Sequence, residues 1–292
     1  MKPAAFEYHR PDRLADALAL LADLPNPKAL AGGQSLMPMM NYRVLQPDHL
    51  VDLNNVSELA GCTPDASGVR IGAMTRQCAL KESPLVNRSL PLMAEALEHV
   101  GHLQTRNRGT LGGSLCHADP SAELPTVCTA LDATLVVERR GSQRKMSIHD
   151  WAMGYLMPAI ETDELLTQIH IEPWPAGHGW SFVEFARRHG DFAIVGVAAL
   201  LHLDAKGRIE RIAIAIGGCA DKPVRLTLAE ERLAGGTPSE ALFAEAGVLA
   251  SRLENVLTDA YVQESYRRHL ADVLVRRALG RAAERARQGV PA

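Results

Sequence analysis

Apolar residues recur at helical spacing in some stretches of the chain and at strand spacing in others. Leu14, Leu18 and Leu21 share one face of a helix that is predicted to begin after Pro11-Asp12 and to end near Pro25. Further helices are predicted from Thr75, as a cap, to Lys81 and over residues 90–99. Short apolar strands are predicted at residues 28–30, 49–53, 69–73, 133–138 and 165–171.

The pattern changes after Glu172-Pro173-Trp174-Pro175, because two prolines cannot lie within a central strand. Beyond this boundary, residues 193–203 and 209–216 alternate apolar side chains with a period of two, which predicts a hairpin. Two amphipathic helices are predicted after it, over residues 242–257 and 261–279. Strands followed by helices indicate an α+β fold class.

Composition excludes several classes of function. The chain has 292 residues, of which 47% are hydrophobic and 22% charged, with a net charge of −3. This profile predicts no nucleic-acid partner and no membrane span, and a cytoplasmic location. The five cysteines have no spacing typical of zinc or iron–sulfur sites, so any iron–sulfur centre would lie on another polypeptide. We predict no metal ligands and no catalytic residues in this chain.

Two glycine segments carry the strongest chemical signal. Ala31-Gly32-Gly33-Gln34-Ser35-Leu36 and Thr110-Leu111-Gly112-Gly113-Ser114-Leu115 each place a glycine pair beside a hydroxyl. Glycine tolerates positive φ and allows a ligand to approach the backbone, whose successive N–H groups then form an anion site. Neither segment is a P-loop or a G-x-G-x-x-G fingerprint. Each alone is typical of a tight turn, but together they indicate a cradle for the two phosphates of a dinucleotide.

A third segment follows, His117-Ala118-Asp119-Pro120-Ser121-Ala122-Glu123-Leu124-Pro125. Asp119 and Pro120 are predicted to cap and open a helix that reaches Leu131. Glu123 would then lie in its first turn. One interpretation is a carboxylate stabilised by the helix dipole, and the other is an acceptor for ligand hydroxyls.

The motifs AGGQSLMPMM and QTRNRGTLGGSLCHADPSAELP, with Arg187-Arg188-His189-Gly190-Asp191-Phe192-Ala193, resemble one family. It is the FAD-binding medium subunit of the molybdenum hydroxylases, which include xanthine dehydrogenase and aerobic carbon monoxide dehydrogenase. The resemblance implies a two-subdomain FAD-binding domain of the PCMH type over residues 1–174, divided at about residue 56. It also implies a C-terminal domain of a small sheet and a helical bundle over 175–285, and a tail over 286–292.

The resemblance further implies an oxidoreductase subunit that binds FAD non-covalently. Electrons would pass from [2Fe-2S] clusters of a small subunit through FAD to an external acceptor. A large subunit would carry molybdopterin, and the assembly would be a dimer of heterotrimers. Arg187 and Asp191 would tune the flavin, and Glu123 would contact ribityl or ribose hydroxyls. The positions that match the family's cofactor site are Ala29, Leu30, Ala31, Gly32, Gly33, Gln34, Ser35, Leu36, Gly101, Thr110, Leu111, Gly112, Gly113, Ser114, Glu123, Leu166, Arg187 and Asp191.

Two alternatives from the residues remain open. A self-sufficient flavin oxidoreductase would need its own acid or base over the flavin, and Asp191 is the one candidate that the sequence offers. A flavin-free binding module would keep the fold without the cofactor, although the intact Gly32, Gly33, Gly112 and Gly113 argue against it.

Overall fold

The computed structural model describes residues 1–289, and its first part is a small parallel sheet. Its three strands are β1 (Glu7–His9), β2 (Pro27–Leu30) and β3 (His49–Asp52), with β3 in the centre and parallel to both neighbours. Helix α1 (Leu14–Asp23) connects β1 to β2 and buries Leu18 and Leu21, as the apolar spacing predicts. Helix α2 (Leu36–Asn41) follows β2 after the first glycine segment.

The second part is a five-stranded antiparallel sheet in the order β4-β5-β10-β6-β7. Its strands are β4 (Cys62–Asp65), β5 (Gly68–Gly72), β6 (Thr134–Arg139), β7 (Ser142–Ser147) and β10 (Leu165–Ile171), and a short hairpin of β8 (Ala152–Gly154) and β9 (Met157–Pro158) lies between β7 and β10. Six short helices intervene: α3 (Gln77–Glu82), α4 (Pro84–Ser89), α5 (Pro91–Ala96), α6 (Leu103–Arg108), α7 (Leu111–His117) and α8 (Glu123–Ala130). Apolar side chains of these helices and of the sheet form the largest buried core.

The last part is a four-stranded antiparallel sheet followed by helices. Its strands, in spatial order, are β11 (Gly179–Phe185), β12 (Val195–Leu203), β13 (Ile209–Gly217) and β14 (Val224–Arg225). The helices are α9 (Thr227–Leu233), α10 (Glu240–Ser251) and α11 (Glu264–Gln288). Strands followed by helices confirm the predicted α+β class.

Strand β12 is buried on both faces, which explains why it is apolar nearly throughout. Val197 and Ala199 point into the core shared with α10 and α11. Ala198 and Leu200 point the other way, into the core of the preceding sheet and helices. A strand covered on both sides has no need of alternating polar residues. The predicted hairpin is confirmed, because β12 and β13 pair antiparallel. The predicted period of two separates two buried faces of β12, not a buried face from a solvent face.

Close contacts fix the last part against the rest. A Cβ at Gly179 would lie 1.8 Å from the carbonyl oxygen of Ala282, so β11 and α11 pack backbone to backbone. From the same helix, Arg285 pairs with Glu95 of α5 at 2.6 Å and donates to the Trp180 carbonyl at 2.7 Å. The predicted domain boundary at residue 174 lies between β10 and β11; as a division into domains it stays a prediction.

Several predicted element ends are wrong, each for a local reason. The helix expected from Asp119 begins at Glu123, because the Asp119 side chain instead accepts from the Ser121 N–H in a turn. Thr75 does not cap α3; its hydroxyl lies within donating distance of the carbonyl oxygens of Gly61 and Gly72. Helix α11 continues to Gln288, past the expected start of the tail, and residues 290–292 lie outside the described residues. Along residues 1–289, no helix is both long and apolar enough to cross a membrane.

Candidate functional site

The first glycine segment is a true loop between β2 and α2. Gly33 has a φ of +73°, a conformation that favours glycine. The N–H groups of Gly32, Gly33, Gln34 and Ser35 donate no hydrogen bond within residues 1–289. Gln34 is exposed and its neighbours are buried or half-buried, so these N–H groups can donate to water or to a bound acceptor. Successive free N–H groups of this kind suit an anion.

The second glycine segment packs directly against the first. A Cβ at Gly32 would lie 2.2 Å from the carbonyl oxygen of Arg108, and a Cβ at Gly113 would lie 3.5 Å from the Ala31 Cβ. Gly32 is therefore required by the contact between the two segments. The two segments do pack against each other; that they serve one ligand stays a prediction.

The second segment itself is helical, which differs from the expected open loop. Thr110 caps α7, and its hydroxyl oxygen accepts from the Gly113 N–H at 3.0 Å. The N–H of Gly112 donates to the Ala73 carbonyl at 2.8 Å, and that of Leu111 to the Thr75 carbonyl at 3.2 Å. These donors are already used within the chain. The free donors therefore come from the first segment, and the second shapes the surface beside them.

A half-buried polar network ties the two segments together. The Asn54 side-chain amide donates to the Ala31 carbonyl at 3.1 Å. The Arg76 guanidinium donates both to the Asn54 side-chain oxygen and to the Arg108 carbonyl. Arg76 is half-buried, and burial, followed by the nearby Arg108, lowers its pKa while leaving it cationic. Arg76 therefore links Asn54, which contacts the first segment at Ala31, to Arg108, which precedes the second segment. It also brings a positive charge close to both segments.

A buried acidic cluster lies at the junction of α8, α5 and β11. Glu123 opens α8 and is 8% exposed. Its pKa is raised to about 7, chiefly by burial, with the charge of Glu184 acting in the same sense, while a backbone hydrogen bond and His99 act in the opposite sense. His99 Nδ1 lies 3.3 Å from Glu184 Oε1, and this contact raises the pKa of His99. Glu184 Oε2 is buried with no partner in the described part of the chain. The cluster offers carboxylate oxygens to a ligand that donates hydrogen bonds.

The burial of Glu123 makes the stability of the ligand-free chain depend on pH. The folded chain keeps this proton up to about pH 7, whereas the unfolded chain loses it near 4.5. Between these values the folded state binds more protons, so the unfolding free energy falls as the pH rises. Above about pH 7, the ionisation of buried Glu123 lowers the unfolding free energy by about 3 kcal/mol. We expect Glu123→Gln to be more stable than the native chain by up to that amount at this pH.

The measurement is urea unfolding of both chains at about pH 4 and about pH 8, where the penalty is absent and complete respectively. The difference between the chains reports Glu123 together with its coupling to His99, because the charge of Glu123 raises the pKa of His99. Equal pH dependence of the two chains would contradict a buried, proton-retaining Glu123.

A second loop lies beside this cluster. The turn at Gly101, with a φ of +46°, is held by Arg106, which donates to the carbonyls of Val100 and Gly101. A Cβ at Gly190 would lie 2.6 Å from His102, so the loop of residues 187–192 rests on this turn. Arg187 stacks on the Tyr261 ring at 4.3 Å, and Phe192 is 69% exposed.

The predicted site residues form two groups. Residues 29–36 and 110–114 lie together at one end, and Gly101 lies with the loop that carries Arg187 and Asp191 at the other. Residues 99–114 run from one group to the other, with Glu123 beside His99. Leu166 lies on β10 in the main core, 4% exposed.

Three residues of the site were missed by the sequence analysis. Asn54 had a signal, since it follows β3 just as Ala31 follows β2, and the ends of adjacent parallel strands lie at one edge. Arg76 and Glu184 had none, because their partners lie far away in the sequence.

Comparison with protein families matches nearly the whole chain. Residues 4–175 match the FAD binding domain in molybdopterin dehydrogenase. Residues 180–282 match the CO dehydrogenase flavoprotein C-terminal domain.

Individual relatives match over almost their full length. Caffeine dehydrogenase subunit beta of Pseudomonas sp. (strain CBB1) is 39% identical over 98% of this chain and 97% of its own. The nicotine 6-hydroxylase medium subunit of Paenarthrobacter nicotinovorans is 36% identical over 98% of this chain and 100% of its own. A solved carbon monoxide dehydrogenase from Hydrogenophaga pseudoflava, lacking the Mo-pyranopterin moiety of the molybdenum cofactor, superposes with a TM-score of 0.95. It has 36% identity and covers 98% of this chain and 99% of that one.

Proposed function

Because this chain belongs to the family of FAD-binding medium subunits of the molybdenum hydroxylases, we propose that it carries electrons within such a complex. It would receive them from [2Fe-2S] clusters of a small subunit and pass them through FAD to an external acceptor. FAD supplies the chemistry, since it accepts and releases electrons one or two at a time. The chain binds and orients the cofactor and sets the charge around it.

The observation that carries the proposal is the row of free N–H groups at residues 32–35. They would bind the FAD pyrophosphate, whose negative charge suits both these dipoles and the Arg76 guanidinium behind them. Thr110, Gly113 and Ser114 line the adjoining surface at the start of α7. The absence of a side chain at Gly32 lets the two segments close around the phosphates.

The acidic cluster fits the polyhydroxyl part of the same ligand. Glu123 and the unpartnered Glu184 oxygen are acceptors that need donors, and ribityl hydroxyls are donors. Such contacts would offset the burial of Glu123. We expect Glu123→Ala to weaken FAD binding by about tenfold, close to the 1–1.5 kcal/mol of one or two hydrogen bonds, because the phosphate contacts remain.

The loop of residues 187–192 would cover the isoalloxazine ring. Its Gly190 packs against His102 of the Gly101 turn, which follows His99 by two residues. Asp191 and Phe192, which follow Gly190 directly, would then lie near this turn. Arg187 is held by Tyr261 of the C-terminal part, so its positive charge is fixed in position. No side chain is proposed as a covalent tether.

We propose that the substrate is chosen by the large subunit and not by this chain. The three relatives described above are named for caffeine, nicotine and carbon monoxide, although their identities with this chain are similar. Such different names among proteins that share 36–39% identity with this chain support a site elsewhere. Molybdopterin would be held by that subunit, in a dimer of heterotrimers.

Co-expression of this chain with the large and small subunits of its complex tests the proposal. After chemical reduction of the clusters in the anaerobic complex, we expect bleaching of the flavin band to follow that of the cluster bands. We expect released FAD at one per chain, measured by absorption and mass analysis.

A matched complex that contains a Gly32→Val chain provides the control. Its clusters should still be reduced, while electron delivery to a dye acceptor should be lost. Rapid acceptor reduction by a flavin-free complex would show that electrons bypass this chain and would refute the electron-transfer role.

A further inference from the structure

A cluster of two histidines and one glutamate lies on the first parallel sheet, away from the proposed flavin site. In the pairing of β1 with β3, Glu7 stands opposite His49. Glu7 and His9 share one face of β1, because alternate residues of a strand point the same way. His9 Nε2 lies 3.1 Å from His49 Nδ1, and His49 Nδ1 lies 3.5 Å from Glu7 Oε2. One ligand atom from each residue falls within 4.8 Å of the others.

The two separations from His49 are close to the spacing of ligands around one metal ion. In a tetrahedral zinc site with bonds of about 2.0–2.1 Å, neighbouring ligand atoms are about 3.3–3.4 Å apart. The observed 3.1 Å and 3.5 Å lie on either side of that spacing. Imidazole and carboxylate are also donors that zinc and its neighbours accept.

The cluster is open to metal on one side. The Glu7 side chain is 75% exposed, whereas that of His49 is 12% exposed and held by its neighbours. An ion can therefore enter from solvent, and a water can complete the fourth position. The sequence alone predicts no metal ligands here, because the histidines stand on strands that are distant in the sequence and adjacent only after parallel pairing.

We propose that Glu7, His9 and His49 bind one divalent ion of the zinc class. The ion would fasten the short N-terminal strand β1 to the central strand β3. On the opposite face of β1, Tyr8 donates to Asp52, and Asp52 accepts from the Asn54 backbone N–H at 2.9 Å. Asn54 in turn supports Ala31. The ion would thus stiffen the sheet from which the first glycine loop extends.

The test is titration of the full chain with Zn²⁺ and Co²⁺ after removal of any histidine tag and of bound metal. We expect one Zn²⁺ per chain by calorimetry and a tetrahedral Co²⁺ spectrum without thiolate charge-transfer bands. His9→Ala and His49→Ala should each weaken binding by at least about tenfold, since changes even to the groups around metal ligands have effects of this size. Glu7→Gln, which alters one exposed side chain and leaves the fold intact, should weaken it in the same direction.

His202→Ala is the matched control, because His202 also sits on a strand and pairs with a glutamate, Glu210, at 3.0 Å, but within residues 1–289 it belongs to no group of three possible ligands. Its metal affinity should equal that of the native chain. Circular dichroism on every variant separates lost ligands from lost folding. Zn²⁺ affinity unchanged in Glu7→Gln and in folded His49→Ala, thiolate bands from the partly exposed Cys62, Cys78 or Cys116, or no binding by the native chain would each overturn the site.

Discussion

A valine at position 32 is expected to abolish FAD binding while the C-terminal sheet and helices stay folded. The new Cβ would stand 2.2 Å from the Arg108 carbonyl oxygen and 2.9 Å from the Gly109 Cα. Both are backbone atoms, so the two segments must move apart and the free N–H groups lose their arrangement. We expect FAD affinity to fall by more than about 100-fold, a loss of roughly 3 kcal/mol. Overpacking should also lower the unfolding free energy by about 1–3 kcal/mol.

Equilibrium titration with FAD, followed by flavin fluorescence, measures this effect. Gly280→Val is the matched control, because a Cβ at Gly280 of α11 meets no atom within 4 Å. It should bind FAD like the native chain. Hydrogen exchange should show loosening around residues 31–36 and 108–114 and unchanged protection in β12 and α11. Stoichiometric, tight FAD binding by Gly32→Val would remove the pyrophosphate from this loop.

Replacing Arg76 with alanine is expected to weaken FAD binding by about 10- to 30-fold, which corresponds to roughly 1.5–2 kcal/mol. The variant loses the donors to Asn54 and to the Arg108 carbonyl, so the loop is less well fixed, and it loses the positive charge behind the phosphates. The expected change is smaller than for Gly32→Val because no atoms are forced apart.

Two further variants separate the causes. Arg70→Ala removes an exposed arginine of β5 that makes one long contact, at 3.4 Å to Thr63, and FAD affinity should not change. Arg76→Lys keeps the charge but lacks the planar fork that reaches two acceptors at once. If it binds FAD as tightly as the native chain, charge alone suffices and the bridging role is wrong.

The sequence predicts those parts of the fold in which local pattern and tertiary structure agree. The face of Leu18 and Leu21 is buried as its spacing indicates, and β10 has the predicted ends, Leu165–Ile171. The predictions fail where a side chain has two local choices. Asp119 could cap a helix or close a turn, and it closes a turn, which moves the helix start to Glu123. The family, its FAD-binding domain and the α+β class are confirmed by the comparisons.

The candidate site follows the same rule. Gly32 and Gly113 were expected to serve one ligand, and their segments do pack together. The helical start of α7 was not predicted. Thr110 caps it locally, but the N–H groups of Leu111 and Gly112 donate to the carbonyls of Thr75 and Ala73, which lie far upstream in the sequence. Glu184 joins Glu123 and His99 only when the C-terminal sheet docks. A local sequence pattern cannot predict a contact between elements that are this far apart in the sequence.

The tight contacts of Gly32 with Arg108 and of Gly112 with Ala73 bear on how this lineage would change if it lost its flavin. Selection for folding alone would keep both glycines, so their retention in a descendant says nothing about the cofactor. Selection for folding alone would act against Glu123, because a buried carboxylate without a ligand that donates to it lowers the stability of the fold. Drift from glutamate to glutamine or an apolar residue at position 123 would therefore be a genetic trace of an abandoned flavin site.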